Sequence, residues 1–231
     1  MSGKSAGGVV AVSTGQESEI AREGPIFFLS YAHSKPGRGG RRRGPNPNVT
    51  RLFDDLSVHV SEMVPLRGGV DPGFMDRSMG GGERWNEELL TAVGTCQVFV
   101  ALISPPYVQS RWCALEWDAF ARRPVTRRSP TASTNGTTIL PVIWVPPPAT
   151  LPKAVSDVQT FTPKDLPGPE IEAGYHGEGL YGLRTMGFTD DYDAVVWRLA
   201  QRIVTLLGQL AVQPRIPSGA DELVNVFQDE G

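Results

Sequence analysis

Glu116 is the residue whose type and surroundings raise the most direct chemical question in this chain. It lies in Ser110-Arg111-Trp112-Cys113-Ala114-Leu115-Glu116-Trp117-Asp118-Ala119-Phe120, a run that Ser110 can open as an N-cap and Pro124 must end. At about 100° per residue from Trp112, Glu116 falls near about 40°, within an arc shared with Ala119, Phe120, Cys113 and Trp117. Arg111, Asp118 and Arg122 fall on the opposite side. A carboxylate on an apolar face is costly unless it is paired, neutralised or used. Two readings stay open on the residues alone: a structural Glu that reaches an arginine or a helix N-terminus, and an acid retained for chemistry.

Other residue types narrow that chemistry. His33, His59 and His176 have no metal-ligand spacing, and Cys96 and Cys113 suggest neither a zinc site nor a disulfide framework, so no metal is expected. After the first apolar run the chain reads Ser30-Tyr31-Ala32-His33-Ser34, without the glycine pattern of a dinucleotide fold or the G-K-[ST] of a P-loop. The paired acids of a phosphoacceptor receiver are missing there too. Gly80-Gly81-Gly82 ahead of a helix can present N–H groups to an anion, although a turn needs glycines anyway. Lys35, Arg38, Arg41, Arg42 and Arg43 make a basic loop, read as solvated surface or, beside a pocket, as an attractor of phosphates.

The framework around these residues is legible in the apolar spacing. Continuous apolar runs at 26–31 and 97–103 predict strands buried on both faces, and shorter runs predict strands at 73–77, 138–145 and 158–161. Pro141 inside the fourth of these demands a bulge or a position needing no N–H. Apolar residues at three- and four-residue spacing predict helices over 49–64, 83–94, 111–123 and 190–210. Residues 149–187 otherwise read as irregular. This alternation is that of an α/β fold, a flavodoxin-like doubly wound five-stranded parallel sheet of order 2-1-3-4-5. Its crevice opens between the first and third strands, at Ser30–Tyr31 and Ile103–Ser104, beside the helix that carries Trp112 and Glu116.

The 231 residues fit one domain over 24–210, a disordered tail over 1–23 and a C-terminal tail over 211–231 with a short acidic helix near 221–227. With 22 Lys+Arg against 25 Asp+Glu the net charge is −3, so no nucleic-acid or membrane partner is expected. The absence of a long apolar run and of a signal-peptide pattern predicts a soluble, cytoplasmic protein.

The ordered set Phe27-Phe28-Leu29-Ser30-Tyr31, Phe74-Met75-Asp76-Arg77, Ser104-Pro105-Pro106-Tyr107 and Ser110-Arg111-Trp112-Cys113-Ala114-Leu115-Glu116 resembles the TIR domain family over residues 24–208. Gly179-Leu180-Tyr181-Gly182-Leu183 resembles a segment of actinobacterial, FxsC-type TIR proteins associated with modified-peptide gene clusters. The resemblance implies a mobile loop over about 77–82, self-association through TIR–TIR contacts that gates activity, and an upstream trigger protein as a partner. It also implies cleavage of the nicotinamide–ribose bond of NAD+, a substrate rather than a cofactor, in bacterial defence or signalling. The products would be nicotinamide and ADP-ribose or its cyclic form. Glu116 matches the family's catalytic acid. Ser30, Tyr31, Phe74, Asp76, Trp85, Ser110 and Trp112 match substrate-binding positions. In several members the residue after the strand-end Tyr is basic, whereas here it is Ala32. Departure of a neutral nicotinamide needs no general acid, so one carboxylate suffices to stabilise an oxocarbenium-like ribose. Trp112 or Tyr31 would stack on the leaving ring. The alternatives are a non-catalytic TIR–TIR adaptor in which Glu116 is structural, and a pocket for another nucleotide.

Overall fold

The computed structural model describes residues 24–33, 46–66, 71–77, 87–130 and 136–228. The N-terminal stretch, the basic loop with Lys35 and Arg38 to Arg43, the glycine loop before Glu83, and Trp85 lie outside the described residues.

Four parallel strands form the central sheet: β1 (Phe27–Ser30), β2 (Gly73–Met75), β3 (Val98–Ile103) and β5 (Ile139–Ile143), in the order β2-β1-β3-β5. Pairing runs from Phe27 opposite Val98 to Ser30 opposite Ala101, so the carboxyl ends of β1 and β3 lie side by side. Alternation along the strands sends Phe27, Leu29, Val98, Val100 and Leu102 into one apolar layer and Phe28, Phe99, Ala101 and Ile103 into the other. Helices α1 (Pro47–Met63), α6 (Pro169–Thr185) and α7 (Thr189–Gln209) cover the first layer. Helices α2 (Glu87–Thr95) and α4 (Arg111–Ala121) cover the second. This is the predicted flavodoxin-like α/β architecture.

Among the described residues the sheet has four strands, not five. The stretch expected as the fifth, 158–161, makes one backbone bond to β5, from Phe161 N–H to the Pro141 carbonyl at 2.8 Å. The reason lies on the outer edge of β5. Ile139 N–H donates to Thr137 Oγ1 (3.1 Å), Pro141 has no N–H, and Ile143 N–H donates to the Tyr175 hydroxyl (2.9 Å). The edge therefore has few donors left for another strand. Pro141 sits where no N–H is needed, which resolves its place inside a strand.

Residues read as irregular also form the short helix α5 (Lys153–Ser156) and α6, whose apolar pattern is interrupted by glycines. Gly179, at φ 68° and ψ 174°, breaks its helical geometry. A Cβ at Gly179 would stand 2.6 Å from the Trp144 carbonyl oxygen. Beyond that break Tyr181 N–H reaches the same oxygen at 2.9 Å, and the Tyr181 ring lies 5.6 Å from Trp144. After α7 the chain is docked rather than a tail. β6 (Leu210–Val212) pairs antiparallel with β4 (Val125–Arg127), and the acidic helix expected near Asp221 is a single 3-10 turn at Ala220–Glu222.

Replacing Gly179 by alanine combines a backbone region almost exclusive to glycine with a clash against backbone. Gly179→Ala is expected to lower the unfolding free energy by about 2–3 kcal/mol, read as a lower urea midpoint at unchanged m.

Candidate active site

The end of β1 supplies the first partner of Glu116. Ser30 shares the side of the sheet taken by Phe28, and its Oγ donates to Glu116 Oε2 at 2.5 Å. The second partner of Ser30 comes from the short helix α3 (Pro105–Val108), opened by Ser104, whose Oγ accepts Tyr107 N–H at 3.2 Å. The buried Tyr107 hydroxyl is 3.0 Å from Ser30 Oγ. With the single Ser30 hydrogen on the carboxylate, Tyr107 donates to Ser30, which makes a chain of hydroxyls ending on Glu116. Ser110 caps α4 as expected, its Oγ accepting Cys113 N–H at 3.3 Å.

Glu116 is 8% exposed, and among the described residues no cation stands at ion-pair distance from it. Burial pushes its carboxyl up to about 8; the Ser30 hydrogen bond pulls it down, and the negative charge of Asp76 pushes it further up. Among the described residues, then, Glu116 is a buried acid held by a hydroxyl and not by an arginine.

Tyr31 and Asp76 form a neighbouring group. The Tyr31 hydroxyl donates to the Asp76 backbone carbonyl at 2.7 Å, and its ring stacks on His33 with centroids 4.5 Å apart. His33 Nε2 lies 3.7 Å from Asp76 Oδ2. Burial lowers the His33 pKa and Asp76 opposes that shift. Burial, then Asp76 and Glu116, raise the Tyr31 hydroxyl far above its ordinary value.

A cleft of about 700 Å³ opens over the carboxyl ends of the strands, lined by Tyr31, His33, Ser110, Trp112, Trp144 and Tyr181 among others. Glu116 is not part of its lining. Two lining residues bracket the buried pair along the chain: Tyr31 is next to Ser30, and Trp112 precedes Glu116 by one helical turn. Phe74 packs instead on Phe28, rings 5.6 Å apart, within the layer beneath α4. Sequence reasoning misses Tyr107, His33, Trp144 and Tyr181 as site residues. Tyr107 carries a signal through its place in the Ser-Pro-Pro-Tyr motif, and Tyr181 through the Gly-Leu-Tyr-Gly-Leu segment.

Because the folded state holds the Glu116 proton more tightly than the unfolded chain does, this group's contribution to stability is full below about pH 4.5. It is lost as pH rises to about 8. Relative to Glu116→Gln, the native protein is expected to lose up to about 1.4 kcal/mol per pH unit across that window, measured by urea unfolding of both proteins from pH 5 to 8.5.

The TIR domain family matches residues 59–174, half of the chain, a span that includes β2, β3, α4 and β5. A Brachypodium distachyon protein named a probable 2' cyclic ADP-D-ribose synthase is 33% identical over 97 residues, which are 41% of this chain and 38% of that protein. The chain thus spans well under half the length of that relative. No solved structure matches it. The parallel sheet, the carboxylate beside its central crevice and the family match together place this chain in the TIR domain family.

Proposed function

We propose that this TIR domain cleaves the nicotinamide–ribose bond of NAD+, with Glu116 as the catalytic carboxylate. The observation that carries this reading is the Ser30–Glu116 pair: a buried acid without a cationic partner among the described residues, held by a hydroxyl at 2.5 Å beside an aromatic-lined cleft. Family membership and the printed name of the Brachypodium relative support the same class of chemistry.

The bond to be broken joins ribose C1' to a pyridinium nitrogen. Its electron pair leaves with nicotinamide, which departs neutral, and positive charge develops on the ribose ring. An ionised Glu116 stabilises that charge and orients the ribose hydroxyls. Water attacking C1' gives ADP-ribose, and a hydroxyl of the same molecule gives a cyclic product; in either case the attacking oxygen gives up its proton to solvent. The bound pyridinium favours the ionised carboxylate, offsetting the burial that raises its pKa. Tyr31 and Trp112 offer aromatic faces for the leaving ring, Asp76 and Ser110 border the same region, and self-association through TIR–TIR contacts brings the domain to its active state.

A second reading, a TIR–TIR adaptor without catalysis, is favoured by one observation: Glu116 does not line the cleft. Incubation of concentrated protein with NAD+ separates the two. Nicotinamide release, lowered at least about 100-fold by Glu116→Gln, establishes the enzyme. Absence of release from protein held in an oligomer by a fused tag favours the adaptor.

The pH profile supplies an independent check. Since the reactive form is the carboxylate, kcat/KM for nicotinamide release is expected to rise with pH and level off above about 8. Ser30→Ala removes the donor that favours the ionised form, so its inflection is expected at higher pH than that of the native protein.

A further inference from the structure

Helical spacing puts Asp118 on the solvent side of α4, yet it is 6% exposed. The chain after β6 covers it. Gln213 N–H donates to the Pro124 carbonyl at 2.9 Å, and Arg215 N–H donates to the Gly94 carbonyl at 2.9 Å. The approach at Gly94 leaves no room for a side chain: a Cβ there would stand 2.7 Å from Ile216 Cα and 2.8 Å from the Arg215 carbonyl oxygen. Further on, Val224 N–H donates to Asp118 Oδ2 at 2.8 Å. Arg122 clamps the same place, with Nη2 2.7 Å from Asp118 Oδ2 and Nη1 donating to the Glu222 carbonyl at 2.8 Å.

The segment then delivers Phe227, 9% exposed, onto two rings: Tyr107 at 5.6 Å and Trp117 at 5.9 Å between centroids. Tyr107 is the residue whose hydroxyl lies 3.0 Å from Ser30 Oγ, itself 2.5 Å from Glu116. One contiguous path therefore runs from the C-terminal segment to the buried carboxylate. Along it the segment grips α4 at Asp118 and Arg122, within two turns of Glu116. A short hydrogen bond such as Ser30–Glu116 is lost on a displacement of about 1 Å, and misplacement of a reacting group on that scale costs about 100-fold in rate.

We propose that residues 213–228 form a strap that locks α4 against the sheet, and that Phe227 is a positioning residue which, through Tyr107, keeps Ser30 and Glu116 in register. This rests on the reading of Glu116 as the catalytic carboxylate, but the strap itself is tested without it. Neither Phe227 nor Gly94 lines the cleft, and Phe227→Ala and Gly94→Ala loosen the strap from two separate places. Phe227→Leu retains an apolar filler and serves as the conservative control.

The experiment compares these variants with the native chain under conditions where circular dichroism shows each to be folded. Hydrogen exchange is read at the amides of α4 and of α7, the carboxyl 13C shift of Glu116 is titrated, and kcat and KM are measured for nicotinamide release from NAD+. The expected result for both Phe227→Ala and Gly94→Ala is exchange in α4 faster by about tenfold or more, with α7 unchanged. The Glu116 titration midpoint moves, and kcat falls by about tenfold or more at a KM within about twofold. Phe227→Leu retains most of kcat. Unchanged kcat in folded Phe227→Ala and Gly94→Ala reduces the segment to a cover and overturns the positioning role. Should the native protein release no nicotinamide, exchange and the Glu116 titration decide: both unmoved overturns the strap, and both moved upholds it independently of the proposed reaction.

Discussion

The structure turns on a carboxylate kept out of water with a hydroxyl as its partner. Glu116 stands in an apolar layer with Cys113, Trp117 and Phe120 around it on the same helix, and Ser30 is the group that donates to it. An ion pair in that place would have satisfied the charge and ended the matter. A hydroxyl satisfies the oxygen without neutralising it, so the acid remains responsive to whatever cation approaches. Burial and hydrogen bonding act in opposite directions on its proton, and their balance leaves the group poised near neutrality.

The fold exists in a form that makes this possible. Parallel strands covered on both faces bring their carboxyl ends to one edge, and the adjacency of β1 and β3 there sets Ser30 beside the loop that starts α3 and α4. Two serine caps then aim the helices they open: Ser104 orients Tyr107 toward Ser30, and Ser110 starts α4 so that Glu116 arrives one turn after Trp112. The cleft above this edge is walled on its far side by Trp144 and Tyr181, a contact that exists because Gly179 allows α6 to break against the end of β5.

The parts of this arrangement legible in the sequence are those that depend on local spacing. The buried strands at Phe27 and Val98 announce themselves as unbroken apolar runs, and the position of Glu116 comes from the wheel of a capped helix. Features that depend on distant chain are not legible. Asp118 falls on the polar side of that wheel and is nonetheless buried, since residues a hundred positions later cover it. Among the described residues the central sheet has no fifth strand because side chains occupy the edge of β5, chiefly the Tyr175 hydroxyl from α6. That helix is itself hidden by its glycines. Tyr107 reads as one aromatic in a turn, and only the geometry shows its hydroxyl in the chain that ends on Glu116. Among the described residues no helix is long and apolar enough to cross a membrane.

The state of the Glu116 proton is the point on which the catalytic reading stands. Carbon-13 labelling of glutamate carboxyls, with the Glu116 signal assigned by its loss in Glu116→Gln, reports that proton directly as pH is varied. A midpoint near 8 is the predicted result, well above that of exposed glutamates in the same spectrum. A midpoint in the ordinary carboxylate range would mean that water or a cation reaches the group, and the account of Glu116 as a buried acid without a cationic partner would be wrong.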